Sequence, residues 1–252
     1  MSDQKTAAIL AIGDELLSGR TRDANMHYLA GWLTERGVSL KEARVVGDEL
    51  EHIGEALNAL RRSFDYVFTS GGIGPTHDDI TVDAIARALG VPVIENEHAA
   101  AMIRAYYRER NIEVTPARLR MARTPEGARL IENPVSGAPG IRIENIFVMA
   151  GVPGIFQAML HAVDSEIERG AVIYSRAATA VGMPESMIAD ALRDIQAALK
   201  GVSIGSYPID GDEKGVTVVA RSTDDNLAAA AIETVSAAMR ALNVEPVLED
   251  RR

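Results

Sequence analysis

Short apolar runs alternate with helix-periodic stretches along the first two thirds of the chain. Residues 7–12 form an unbroken apolar run, the pattern of a buried strand. Met26, Leu29, Ala30 and Leu33 then recur on one face of a helix predicted over 23–36, with Gly37 as its stop. Residues 38–46 return as a strand. Ile53, Ala56, Leu57 and Leu60 line a second helix over 49–63. Residues 65–70 are again apolar and aromatic. A third helix, opened by Thr81 and closed by Gly90, presents Val82, Ile85, Ala86 and Leu89 at i, i+3, i+4 and i+7. Three βα units in a row predict a parallel sheet with helices on its faces.

Beyond them the pattern gives a strand at 91–94 and a helix over 97–110. A short helix follows to 122, with Thr115 as cap and Pro116 at its first position. Residues 133–140 read as a loop, 146–150 as a strand and 153–164 as a helix. The composition changes at 168–170, which divides the chain into a domain over 1–168 and a smaller one over 169–252. The second reads β-α-β-β-α: strand 172–181, helix 184–199, strand 203–209, turn 210–212, strand 215–220, helix 224–242. That order predicts a small α+β domain with its helices on one face of an antiparallel sheet. The charged tail 249–252 is expected to fray.

The formal charge of −10 on 252 residues argues against a nucleic-acid or anionic-membrane partner. With 4% aromatic residues there is little to stack bases on. Cysteine is absent, which removes disulfides, thiolate metal sites and a thiol nucleophile. No apolar run is long enough for a membrane helix, and the run near the start is too short for a signal peptide; a cytoplasmic protein is expected.

The candidate chemistry sits at the strand ends. In a parallel sheet, ligands bind beyond the carboxyl ends of the strands. Those ends carry Gly13-Asp14-Glu15, Gly47-Asp48, and a run SGGIGPTHDDIT from Ser70 to Thr81, each combining glycine with acid. Gly71, Gly72 and Gly74 lack a Cβ, so backbone N–H groups there can converge on one anion, beside the N-terminus of the following helix. The acids Asp78 and Asp79 would repel a phosphate unless a hard cation lay between. The run is neither a Walker loop nor a dinucleotide fingerprint. A plain tight turn accounts for the glycines equally. Asp14 could cap the turn after the first strand, Asp48 the second helix and Asp79 the third, and His77 reads as either an acid–base group or a solvent-facing loop residue.

Taken together, IGDELLSG at 12–19, VVGD at 45–48, SGGIGPTHDDIT at 70–81, NPVSGAPG at 133–140 and Gly151-Val152-Pro153 resemble the molybdenum-cofactor-biosynthesis (molybdopterin-binding) domain family. The order and spacing are similar to the N-terminal domain of competence/damage-inducible protein A. The His-Asp-Asp form of the loop and the segment from Glu144 to Phe147 look closer to the molybdopterin-binding-like domain of eukaryotic FAD synthase, as does Gly205-Ser206-Tyr207-Pro208. The resemblance covers about residues 5–165. It departs at Val152, where competence proteins usually have proline. It implies a three-layer α/β sandwich with a mostly parallel sheet. The implied function is a metal-dependent nucleotide pyrophosphatase acting on an ADP-ribose- or FAD-like dinucleotide. The alternative is a non-catalytic molybdopterin-binding protein or molybdenum cofactor biosynthesis factor. Carried over by position, Asp48 and Asp79 would be catalytic. Gly13, Gly71, Gly72, Gly74, Thr76, Thr81, Ser136 and Gly137 would bind the substrate. Asp14, Asp48, Asp78 and Asp79 would hold Mg²⁺, Mn²⁺ or Co²⁺. The partner is then a nucleotide or pterin, with molybdopterin as the alternative ligand, and the protein a homodimer or homotrimer.

Overall fold

The structure, a computed structural model, describes residues 4–209 and 214–251. The predicted turn at 210–212 lies outside the described residues. The chain divides into two compact units, the first ending at Gly170 and the second beginning at Ala171.

The first unit opens with β1 (Thr6–Ile12), a short α1 (Asp14–Leu17), α2 (Asn25–Thr34), β2 (Ser39–Val46), α3 (Leu50–Ser63), β3 (Tyr66–Ser70) and α4 (Thr81–Leu89). It continues through β4 (Val93–Glu95), α5 (Glu97–Glu109), α6 (Pro116–Leu119), β5 (Arg123–Pro125), β6 (Arg129–Ile131), β7 (Gly140–Ile143), β8 (Ile146–Met149) and α7 (Pro153–Ala162). Six strands form one sheet in the order β2-β1-β3-β8-β7-β6. The first four are parallel to their neighbours, and β7 and β6 extend the sheet antiparallel.

Alternation along the strands sorts side chains into two cores. Ala7 and Ile9 of β1, Phe68 of β3 and Phe147 of β8 pack with Leu29, Trp32 and Leu33 of α2 and Phe156 of α7. On the other face Ala8, Leu10 and Ile12, with Val67 and Val148, pack against Ile53, Leu57 and Leu60 of α3 and Ile85 of α4. This is a three-layer sandwich. Phe68 stacks on Phe147 at 5.0 Å between ring centroids, across the β3–β8 pair.

The layering also creates the crevice. The chain leaves β1 for α2 on one face and returns to β2 on one side of β1. It leaves β3, on the other side of β1, for α4 on the opposite face. The loops after these two adjacent strands therefore part, the arrangement that leaves a ligand crevice at the strands' carboxyl ends.

The second unit contains β9 (Tyr174–Val181), α8 (Ala189–Ala198), β10 (Val202–Ile209), β11 (Gly215–Ser222), α9 (Asp225–Ala241) and β12 (Val247–Arg251). Its antiparallel sheet runs β10-β11-β9-β12. Ala178, Val218 and Val202 pack under Leu192 of α8 and Val235 and Met239 of α9. Of the tail expected to fray, residues 249–251 lie in β12, paired with β9 from Val247↔Thr179 to Arg251↔Ser175, and Arg252 lies outside the described residues. Backbone pairing to β9 makes this segment an edge strand. Among the described residues no helix is long and apolar enough to cross a membrane.

Candidate functional site

The loop after β3 is tied to the sheet before it becomes free. The Gly71 amide donates to the Met149 carbonyl at 3.1 Å, and the Gly13 amide, after β1, donates to Val46 at 3.0 Å. Both glycines were expected to bind substrate, but their amides are committed to the chain's own carbonyls. The amides of Gly72, Ile73 and Gly74 find no acceptor among the described residues. Pro75 has no amide to give. Three successive N–H groups without an acceptor thus lie in the loop before α4, and successive free amides near a helix N-terminus are of the kind that can receive an anion.

Side chains hold that loop. Thr81, fully buried, donates from its hydroxyl to the Gly71 carbonyl at 3.0 Å, while its amide donates to Gly72 at 3.1 Å. Thr81 thus fixes the loop from behind rather than facing the crevice. Asp79 Oδ2 accepts from the Thr76 amide at 2.8 Å and from its hydroxyl at 2.5 Å, which closes residues 76–79 on themselves. Asp79 makes no side-chain cap for α4. His77 is 98% exposed, the solvent-facing alternative of its two readings.

The second contributor is a carboxylate pair from the ends of β1 and β2. The Asp14 amide donates to Asp48 Oδ2 at 3.0 Å, and the Asp48 amide to Asp14 Oδ1 at 3.4 Å. Asp48 therefore does not cap α3; its carboxylate is turned across to the neighbouring strand's loop. Burial raises its carboxyl above the ordinary aspartate range. The Asp14 amide opposes that shift, and the charges of Asp14, Glu15 and Asp78 add to it. Asp48 lies in a field of uncompensated negative charge.

Among the described residues no group of three or more His, Cys, Asp or Glu is placed to hold a metal ion. Two carboxylates nevertheless fit a hard divalent ion such as Mg²⁺, which keeps several waters and takes further oxygens from a ligand's phosphates. The charge gathered on Asp48 is of the sign such an ion relieves.

Ser136 and Gly137 belong to a loop organised by buried Asn133. Its side-chain amide donates to Ser136 Oγ at 2.6 Å and to the Ala138 carbonyl at 2.7 Å. Of this loop it is Pro139 that reaches the cleft beside Gly74 and Asp79. The same cleft is lined by Arg120 and Arg123, which sequence reading left out. Asn25 was missed as well. From the first turn of α2 it donates to Ser70 Oγ at 2.7 Å and to the Gly151 carbonyl at 2.8 Å, joining the ends of β3 and β8 behind the glycine loop. Its only sequence signal was a polar residue in the first turn of an apolar helix.

Residues 8–168 match the family described as probable molybdopterin binding domain, and residues 175–247 match the middle domain of FAD synthase. The chain is 38% identical to a protein of Pyrobaculum aerophilum, over 80% of this chain and 79% of that one. It is 35% identical to a CinA-like protein of Desulfosudis oleivorans, over 79% of this chain and 51% of the relative. Among solved structures it is similar to CinA of unknown function from Thermoplasma acidophilum. That likeness has 37% identity and a TM-score of 0.59, over 64% of this chain and 98% of that one.

Proposed function

This chain belongs to the molybdopterin-binding domain family, in its CinA-like branch, and from that membership we propose that it is a metal-dependent pyrophosphatase of ADP-ribose- or FAD-like dinucleotides. The observation that carries the reading is that two unlike loops follow the carboxyl ends of neighbouring strands. One offers the free amides of Gly72, Ile73 and Gly74. The other offers the crossed carboxylates of Asp14 and Asp48. The amides bind a phosphoryl group and stabilise charge that grows on its oxygens during attack. Asp14 and Asp48 would hold the divalent ion, with Asp78 at the rim. When bound, such an ion polarises phosphoryl oxygens and lowers the pKa of a coordinated water. Asp48, as a ligand of that ion, would orient the attacking water, whose proton leaves to solvent. Asp79 keeps the loop closed through Thr76. Water attacks one phosphorus, the bridging oxygen leaves with the other phosphate, and AMP is one product.

The test is AMP release from ADP-ribose and FAD, with and without Mg²⁺, Mn²⁺ or Co²⁺, by wild type and Asp48→Asn. The expected result is metal-dependent release that falls by a factor on the order of a hundred or more in the variant. A folded wild type that releases no AMP from either substrate with any of the three metals overturns the reading.

A second reading is a molybdopterin-binding module without turnover. It is favoured by the lack, among the described residues, of a group of three or more metal-ligating side chains. Metal-independent pterin binding with no AMP release is its distinguishing result.

A further inference from the structure

Beside Gly74 lies a narrow cleft of about 20 Å³. That is roughly one water-sized sphere. Its lining is apolar at Ile73, Met121 and Pro139 and charged at Asp79, Arg120 and Arg123.

The two arginines differ in what they already hold. Arg123 is bound to Asp83 of α4 by both terminal nitrogens, at 2.5 and 3.1 Å, so its charge is compensated within the protein. Arg120 begins the short 3₁₀ turn Arg120–Ala122 just before β5. It is exposed, and its guanidinium has no carboxylate or carbonyl partner among the described residues. The neighbouring Arg118 shows that partners are available here, since it donates to the Glu113 carbonyl and lies over the Tyr107 ring at 4.4 Å. Arg120 is thus an uncompensated cation lining a cleft next to free backbone amides, in a chain of net charge −10.

We propose that Arg120 binds the second phosphoryl group of a diphosphate whose first phosphoryl occupies the amides of residues 72–74, so that the site selects diphosphates over monophosphates. A planar guanidinium with several donors suits two oxygens of one phosphoryl group. The amides hold one anionic group, and Arg120 adds a second point of attachment. Arg123, held by Asp83, keeps the cleft wall in place. The inference rests on the glycine loop as an anion site, but it requires no turnover.

The test is calorimetric binding of inorganic pyrophosphate and of inorganic phosphate, in EDTA and again with Mg²⁺, to wild type, Arg120→Ala, Arg120→Lys and Arg118→Ala. Wild type should favour pyrophosphate over phosphate by about tenfold or more. Arg120→Ala should lose that preference while still binding phosphate. Arg120→Lys should restore part of it through the charge alone, and Arg118→Ala should behave as wild type. Circular dichroism confirms that each variant is folded. Pyrophosphate binding unchanged in Arg120→Ala, or a wild type that does not prefer pyrophosphate, overturns the inference. If AMP release is observed but this preference is not, the hydrolytic reading stands and the inference falls. If the Arg120-dependent preference is observed without AMP release, the reverse holds.

Discussion

Gly72→Ala should be among the most destabilising small substitutions in the first unit, for a reason that Gly90→Ala separates from backbone strain. Both glycines have left-handed backbone, at φ 67° and 72°. An alanine there costs about 1–2 kcal/mol from strain alone. At Gly90 the added Cβ meets nothing within 4 Å, so that is the whole cost. At Gly72 it would lie 2.1 Å from Thr81 Oγ1. The hydroxyl has to move, and moving it breaks its bond to the Gly71 carbonyl in a fully buried position. Losing a buried hydrogen bond costs about 1–3 kcal/mol, so Gly72→Ala should cost about 2–5 kcal/mol in all.

Thr81→Ala loses only the hydrogen bond, about 1–3 kcal/mol. In the double variant the hydroxyl that clashes is gone, so the bond is lost once and the strain is added once. It should therefore be no less stable than Gly72→Ala, which is about 1–3 kcal/mol less destabilised than the sum of the single variants. The assay is urea unfolding followed by the fluorescence of Trp32. This is the chain's single tryptophan, and it is buried in the first unit's core. Single-variant costs that add to within about 0.5 kcal/mol, as independent sites do, would refute the reasoning. So would a Gly72→Ala cost no larger than that of Gly90→Ala.

Three further outcomes are expected. Asp48→Asn should melt higher than wild type near pH 7. The raised carboxyl means that protonated Asp48 suits the fold better than the ionised form. Its stabilising contribution is full below the ordinary aspartate pKa and is lost as pH rises through the folded value, so the gap in melting temperature should close in acid; a variant that melts lower at neutral pH contradicts this. Asn25→Ala, which strips partners from Ser70 Oγ and the Gly151 carbonyl, should lower the Trp32-monitored stability by about 2–4 kcal/mol; a loss below about 1 kcal/mol would show the two strand ends are held by something else. In the second unit, Ile188→Ala empties a fully buried position and should cost about 2–5 kcal/mol. Amide hydrogen exchange across β9, β10 and β11 should speed up accordingly, and unchanged exchange there would count against the packing described.

Elements with one strong periodic face were legible from the sequence. Of the apolar face predicted for α4, Ile85 and Ala86 are buried and Val82 and Leu89 are partly buried against the same core, and Gly90 closes the helix with left-handed backbone. Short elements were not. β5, β6 and β7 have three, three and four residues, too few for a period to emerge from their mixture of arginine and apolar side chains. The charges of β12 concealed a strand held by its backbone. The acids failed differently. Asp48 and Asp79 each stand just before a helix, so proximity suggested caps, yet Asp48 reaches back to Asp14 and Asp79 to Thr76. Arg120 carries no local signal, and Asn25 only that of a polar residue in the first turn of an apolar helix. What distinguishes them is what surrounds them in space, an unpaired charge in one case and two strand ends in the other.

The glycines carry the same lesson into the site. A glycine at a strand end suggests room for a ligand, but here the room is already filled by the protein. A Cβ at Gly47 would fall 2.5 Å from Asp14 Oδ1, at Gly74 it would fall 2.6 Å from Asp79 Oδ2, and at Gly71 it would strike the Ile12 carbonyl at 2.2 Å. The missing side chains admit the acids and threonine that shape the loops, and only the donors that remain unpaired are open to a ligand. Replacing a glycine therefore damages packing and binding together and cannot assign either. The informative positions are those whose groups are uncommitted or strained by charge. Arg120 can lose its charge without opening a cavity, and Asp48 can become asparagine and still accept the Asp14 amide. A ligand effect measured at those two residues reports on the site itself.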